Sequence, residues 1–177
     1  DIAVIGGGPS GYIAAAQASE LGASVILFES DKLGGTCLNY GCIPTKSYLK
    51  TAEILKNMYL SEDRGISFDK NSLKIDLLKI YDEKEKTTKT LREGVYKILE
   101  SRDVKIINGF ATLIDKNKIS DGKNTYKAKK IILCTGAKPK TLPDIEVINA
   151  KLLNSNDILE LTKLPESLAV IGIGIIG

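Results

Sequence analysis

Apolar residues gather in short blocks along the chain, separated by stretches in which they recur at helical spacing. The first block, DIAVI at Asp1–Ile5, runs into glycines and reads as a buried parallel strand. Pro9 to about Leu21 reads as a helix, with Pro9 in its first turn, alanines through its length and Gly22 suited to the position after its end. SVILF, 24–28, is a second strand. Strand, helix and strand within thirty residues predict a parallel sheet with a right-handed crossover, and so an α/β fold.

A helix is expected from about Pro44 to Tyr59, where Tyr48, Leu49, Ala52, Leu55, Met58 and Tyr59 recur at helical spacing. Residues 62–74 read as irregular. A long helix follows over 76–101, with Leu77, Ile80, Leu91, Val95 and Ile98 on one stripe. Its middle, DEKEKTTKT, lacks apolar residues and reads as a solvated face, a subunit contact being the less favoured reading. VKIIN, 104–108, is a further strand. Residues 109–127 read as a small antiparallel excursion turning at Asp121–Gly122. KKIILC, 129–134, returns to a buried strand that TGAKP ends. Residues 138–167 hold most of the prolines and read as a connector. SLAVIGIGIIG, 167–177, repeats the opening pattern of apolar strand and spaced glycines.

Composition changes this picture little, except at histidine. The chain has 177 residues, 43% hydrophobic and 27% charged, as in an ordinary globular protein. A net charge of +3, with lysines spread along the chain, gives no basic patch for nucleic acid. No apolar run is long enough to cross a bilayer. There is no histidine, so the commonest acid–base group and metal ligand is missing. Three cysteines are too few for a disulfide-built fold and point to a reducing cytoplasm.

Two loops carry candidate chemistry. Gly6, Gly8 and Gly11 form G-x-G-x-x-G, with Pro9 and Ser10 between the last two. The first glycine permits the turn, the second lets a pyrophosphate approach the backbone, and the third lets helix and strand pack closely. Glu29 ends the second strand about twenty residues on, where an acceptor for a ribose hydroxyl is expected. A tight turn without ligand is the bland alternative, and the complete context disfavours it. Gly172, Gly174 and Gly177 repeat the pattern, without the helix and acidic residue that would follow. Two such units suggest two nucleotides, as electron transfer between cofactors requires.

Cys37 and Cys42 lie in GGTCLNYGCIPTK, 34–46. A structural zinc site needs four ligands, and only Cys134 remains, so no metal is expected. A staple closing so short a loop contributes only about 2 kcal/mol. In a regular helix, residues five apart are about 8–9 Å apart at Cα, whereas a disulfide needs them within about 7 Å. The helix must therefore be distorted between them, with Gly41 the plausible place. Strain, access, a helix N-terminus and the cation of Lys46 favour a redox pair over a staple. Cys134 reads as an inert core residue.

DIAVIGGGPSGY, GGTCLNYGCIPTK, GFATL, ILCTGAKP and LAVIGIGIIG together resemble the flavin half of the pyridine nucleotide–disulfide oxidoreductases, over nearly all of the chain. The cysteine segment is most similar to the dihydrolipoyl dehydrogenase branch, because Leu38, Ile43 and Thr45 stand where glutathione and mercuric reductases usually differ. The resemblance implies a Rossmann-like FAD-binding domain over 1–150, a connector over 151–166, and the first strand and glycine loop of an NAD-binding domain over 167–177. It implies FAD with its pyrophosphate at Gly6, Gly8, Pro9, Ser10 and Gly11. Glu29 would meet the adenosine ribose, with Ser30 beside it. Gly35 and Thr36 would lie by phosphate or ribitol, and Lys46 beside the flavin ring. Phe110 and Ala111 would lie on the adenine side, Thr135 and Gly136 by the flavin. Cys37 would exchange with a dithiol substrate, and Cys42 would face the flavin. NAD would belong to Gly172, Gly174 and Gly177, with NADP left open.

The implied partners are a lipoyl-bearing protein of a 2-oxo acid dehydrogenase or glycine cleavage system and a second copy of the full-length enzyme, with neither nucleic acid nor membrane. The family's acid–base histidine lies in a C-terminal interface domain, and this chain has none, so a fragment unable to turn over alone is expected. A non-catalytic FAD-binding module is the competing reading from another class.

Overall fold

The structure, a computed structural model, describes residues 1–140 and 150–177. The part of the expected connector at 141–149 lies outside the described residues. Strand β1 (Ile2–Ile5) leads to helix α1 (Pro9–Glu20) and strand β2 (Val25–Glu29). Helices α2 (Gly35–Asn39) and α3 (Cys42–Leu60) follow, then two short 3₁₀ turns at Ser61–Arg64 and Lys70–Ser72. Helix α4 (Leu77–Ser101) precedes strands β3 (Lys105–Asn108), β4 (Thr112–Asp115), β5 (Lys118–Ser120), β6 (Thr125–Lys127) and β7 (Lys130–Leu133). Helix α5 (Ser155–Leu159) is the last element.

The principal sheet is parallel, in the order β3-β2-β1-β7, and β4-β5-β6 form a separate antiparallel sheet. Ile2 pairs with Val25 on one side and with Lys130 on the other, so β1 is central. Alternate residues of a strand point to opposite faces, and both faces are covered here. Val4, Val25 and Leu27 pack with Ala15 of α1 and with Val95 and Leu99 of α4. Ala3, Ile5 and Phe28 pack on the other side against Ile119 of β5. Phe28 meets Tyr126 of β6 edge-on, with ring centroids 5.3 Å apart. The architecture is Rossmann-like, with helices on one face of the parallel sheet and the antiparallel sheet on the other.

Several expectations need correction. The polar middle of α4 is solvated on one side only: Asp82, Glu83, Lys86, Lys89 and Thr90 are exposed, but Lys84 and Thr88 are buried, while Leu91 and Ile98 of the expected apolar stripe are exposed. The inward line of α4 runs through Lys84, Thr88, Val95 and Leu99, so apolar periodicity alone misplaced it by a fraction of a turn. Lys84 is buried because it is paired, donating to Glu160 at 3.0 Å and lying 2.7 Å from a Glu85 oxygen and 3.9 Å from the Tyr81 ring centre. The strand expected over 129–134 is half-buried rather than buried, because β7 is an edge strand. The expected connector contains α5, closed by a reciprocal capping box between Asn154 and Asp157. The strand expected at the start of 167–177 does not form, and its apolar residues are exposed. A parallel strand needs a paired neighbour, and none reaches it among the described residues. No helix among the described residues is long and apolar enough to cross a membrane.

Candidate functional site

The loops that follow β1, β2, β3 and β7 all lie at the carboxyl ends of the parallel strands, where open α/β sheets bind ligands. Gly6 leaves β1 with φ of 103°, and a Cβ there would collide with the Cys134 carbonyl at the end of β7. A Cβ at Gly11 would collide with the carbonyl of Gly6, so α1 packs directly on the turn. Gly8 precedes α1 with no side-chain cap, which leaves the amides of the first turn without a capping side chain. Such amides, at the positive end of a helix, suit a phosphate.

Glu29 holds this loop from the end of β2. Its Oε2 accepts from the Gly7 N–H at 2.7 Å and its Oε1 from the Asp31 N–H at 2.8 Å. A carboxylate offers about four acceptor positions. Two are taken here, leaving capacity for ribose hydroxyls. Gly109 donates to the Glu29 carbonyl at 2.7 Å, which brings exposed Phe110 and half-buried Ala111 to the same edge. Thr135 and Gly136 follow β7, with the Thr135 amide beside Gly6. Ser30 is exposed on the turn after Glu29.

The cysteine segment is joined to this cradle. Gly34 donates to the Gly7 carbonyl at 2.8 Å, and a Cβ at Gly35 would sit 2.7 Å from the Gly8 Cα. Both Gly34 and Gly35 have positive φ. The helix expected from about Pro44 to Tyr59 is α3, which starts two residues earlier, and the short helix α2 precedes it where none was expected. Cys37 and Thr36 lie in α2, and Cys42 is the first residue of α3. The chain breaks between them at Gly41, with φ −152° and ψ −106°. That break turns a spacing too long for a continuous helix into proximity.

Both cysteines are free thiols, close enough for Cys42 to perturb Cys37. Cys37 is pushed up to about 11, first by burial, then by its hydrogen bond to Cys42 and by the charge of Cys42. Lys46, on the first turns of α3, and the Cys42 backbone N–H pull the other way without prevailing. The expected thiolate stabilisation therefore does not extend to Cys37. Cys134 is a half-buried thiol packed against the larger core. No cluster of three potential metal ligands occurs among the described residues.

Gly172, Gly174 and Gly177 form a turn of the same kind. Gly172 has φ of 111°, and a Cβ at Gly177 would collide with the Gly172 carbonyl, as Gly11 would with Gly6. The turn stands without its strand, and it is exposed.

Sequence reasoning missed Asn39 and Arg92. Asn39 is buried at the end of α2, and its Nδ2 donates to the carbonyls of Leu33 at 3.0 Å and Gly35 at 2.9 Å. Arg92 of α4 donates to Asn39 Oδ1 at 2.7 Å. A polar residue inside GGTCLN was a signal for Asn39; an arginine fifty-three positions away gave none.

Over its whole length, 1–177, the chain matches the family model described as pyridine nucleotide-disulphide oxidoreductase. The chain belongs to this family. It is 34% identical to a dihydrolipoyl dehydrogenase of Bacillus subtilis, over 99% of the chain and 39% of that protein. It is 38% identical to the dihydrolipoyl dehydrogenase of Geobacillus stearothermophilus, over 98% of the chain and 37% of that protein. Among solved structures, the HOCl-induced flavoprotein disulfide reductase RclA from Escherichia coli aligns with 93% of this chain and 35% of its own, with a TM-score of 0.74 and 25% identity. The chain thus spans less than half the length of these oxidoreductases. RclA is a flavoprotein by name, and the cradle of this chain fits FAD: uncapped amides for phosphate, spare acceptors on Glu29, and glycines where a backbone must come close.

Proposed function

We propose that this chain is the FAD- and disulfide-bearing part of a dihydrolipoyl dehydrogenase, in which Cys37 and Cys42 take electrons from dihydrolipoyl groups and the parent protein reduces NAD⁺. The observation that carries the reading is the Gly34–Gly7 hydrogen bond, which makes the helix of Cys37 a continuation of the nucleotide cradle. Residues 1–150 are assigned to an FAD-binding domain, 151–166 to a connector and 167–177 to the opening of an NAD-binding domain.

The residues divide the work as follows. The turn at Gly6, whose own amide is spent on the Phe28 carbonyl, would bring the amides of Gly8, Ser10 and Gly11 behind Pro9 to the FAD pyrophosphate, and Glu29 would take the ribose, with Ser30 beside it. Gly35, Thr36 and Lys46 would lie on the ribitol and flavin side with Thr135 and Gly136, and Phe110 and Ala111 on the adenine side. The chemistry that FAD supplies when bound is two-electron transfer between thiols and nicotinamide. In the oxidised protein a substrate thiolate attacks Cys37 Sγ, the Cys37–Cys42 bond breaks, and the electron pair stays on Cys42 Sγ. The second substrate thiol then displaces Cys37, and the substrate leaves as a disulfide. Cys37 takes up a proton, in keeping with its raised affinity for one.

The parent would act in the cytoplasm as a homodimer, on a lipoyl-bearing protein of a 2-oxo acid dehydrogenase or glycine cleavage system. With no histidine, residues 1–177 would take up FAD without turning over. The likeness to a disulfide reductase of another kind supports a second reading, in which the same thiols reduce a different disulfide. The test compares NAD⁺-dependent oxidation of dihydrolipoamide by the complete protein with its reduction of glutathione disulfide and mercuric ion. Preference for dihydrolipoamide, abolished by Cys37→Ser and by Cys42→Ser, is expected. A preference for either alternative substrate overturns the assignment.

A further inference from the structure

We propose that Arg92, reaching across from α4, is a positioning residue for the dithiol, acting through Asn39 to hold α2 and Cys37 against Cys42. The inference rests on the reading of Cys37 and Cys42 as a redox pair.

Helix α2 has five residues, too few to be stable by its own hydrogen bonds. Something else must hold it. Its first turn is fixed by backbone contacts: Gly34 on Gly7, and Gly35 on Gly8. Its last residue is fixed by one side chain. Asn39 uses its amide protons on Leu33 and Gly35, with Lys32 O a longer 3.4 Å away, and so closes the loop entering the helix onto the helix end. Those donations determine which way the amide faces. Its oxygen is turned outward, to the Arg92 guanidinium at 2.7 Å. A charged donor makes this a strong bond, and a cation suits the carbonyl end of a helix. Cys37 lies two residues away.

There is room for α2 to move if that bond is lost. A polar cavity of about 230 Å³ lies behind it, bordered by Asn39, Tyr40, Thr88, Arg92 and Glu160. The end of α2 faces this cavity and is tethered by Arg92 at its border. The tether matters to chemistry because the two thiols are already neighbours across the break at Gly41. Closing a disulfide from thiols held close together is favoured by their high effective concentration, and slack between α2 and α3 lowers it.

The equilibrium constant for disulfide formation between Cys37 and Cys42 tests this, and it needs neither flavin nor substrate. The full chain is equilibrated in graded ratios of reduced and oxidised dithiothreitol, quenched by alkylation and counted by mass spectrometry. Two thiols lose two electrons and two protons to oxidised dithiothreitol, which becomes the dithiol. Arg92→Met is expected to lower the constant about tenfold, equivalent to about 30 mV for a two-electron couple. Arg92→Lys, which keeps a charged donor, is expected to remain within about threefold of wild type. Val95→Ala loosens the same helix from its buried face and is expected to leave the constant unchanged while lowering urea stability. If Arg92→Met does not fold, Arg92→Gln carries the test, with at least a roughly fivefold fall expected, since it loses the charge and the reach. A constant within about twofold of wild type in Arg92→Met, or an equal shift in Val95→Ala, overturns the proposal and leaves the redox assignment standing. Failure of the wild-type pair to form a disulfide overturns both.

Discussion

Cys37 and Cys42 differ by where the backbone leaves them. Cys42 opens a helix and is exposed, while Cys37 is half-buried inside a short one. Burial comes first among the causes that push Cys37 up to about 11, and the neighbouring sulfur adds to it. A raised acid group holds its proton longer in the folded protein than in the unfolded one. Its contribution to stability is therefore complete below the ordinary thiol range and is lost as pH rises through about 11. Alkylation of Cys37 should speed up tenfold per pH unit well above the usual thiol midpoint. In Cys42→Ser the midpoint should fall part of the way back, since burial remains when the second sulfur's charge is removed. A profile unchanged by Cys42→Ser would mean the two sulfurs do not interact. The sequence made the pair legible by spacing and by the glycines around it. It could not show that Cys37 holds its proton so firmly, because that depends on depth, and depth is set by residues far along the chain.

Glycine has opposite meanings in two helices. At Gly11 a side chain would strike the Gly6 carbonyl, whereas at Gly94 of α4 it would meet nothing within 4 Å. Gly11→Ala should destabilise the protein by about 1–3 kcal/mol, the cost of forcing atoms into a packed contact. Gly94→Ala should stabilise it by up to about 1 kcal/mol through helix propensity alone. Urea midpoints of the two variants check both signs. Gly11 was readable, because its motif states why it must be small. Gly94 carries no such signal and reads like any other position in a long amphipathic stretch. The same stretch misled about Lys84 and Thr88: polar residues at inward positions read as solvated until α5 supplies Glu160. Helix α5 is held further by Tyr48, whose hydroxyl donates to the Leu159 carbonyl at 2.8 Å. Such polar docking leaves no hydrophobic periodicity to read.

Apolar surface is unevenly distributed over the protein. The parallel sheet is covered on both faces, yet Leu168, Val170, Ile171, Ile173, Ile175 and Ile176 are all exposed. Exposed apolar runs of this kind drive association. The 177-residue chain should self-associate in sedimentation velocity, and Ile173→Asp with Ile175→Asp should return it to a monomer. A monomeric wild type at tens of micromolar would refute this. The order of elements and the parallel sheet were legible because β-α-β chemistry is local. The absence of the last strand was not, since a strand's existence depends on its neighbours. The contact between Gly34 and Gly7 has a consequence for anyone who would transplant this sulfur chemistry. The thirteen residues GGTCLNYGCIPTK are not a portable cassette. A host given that segment alone would inherit two cysteines and no scaffold, and the graft would have to carry the first strand and its turn along with it.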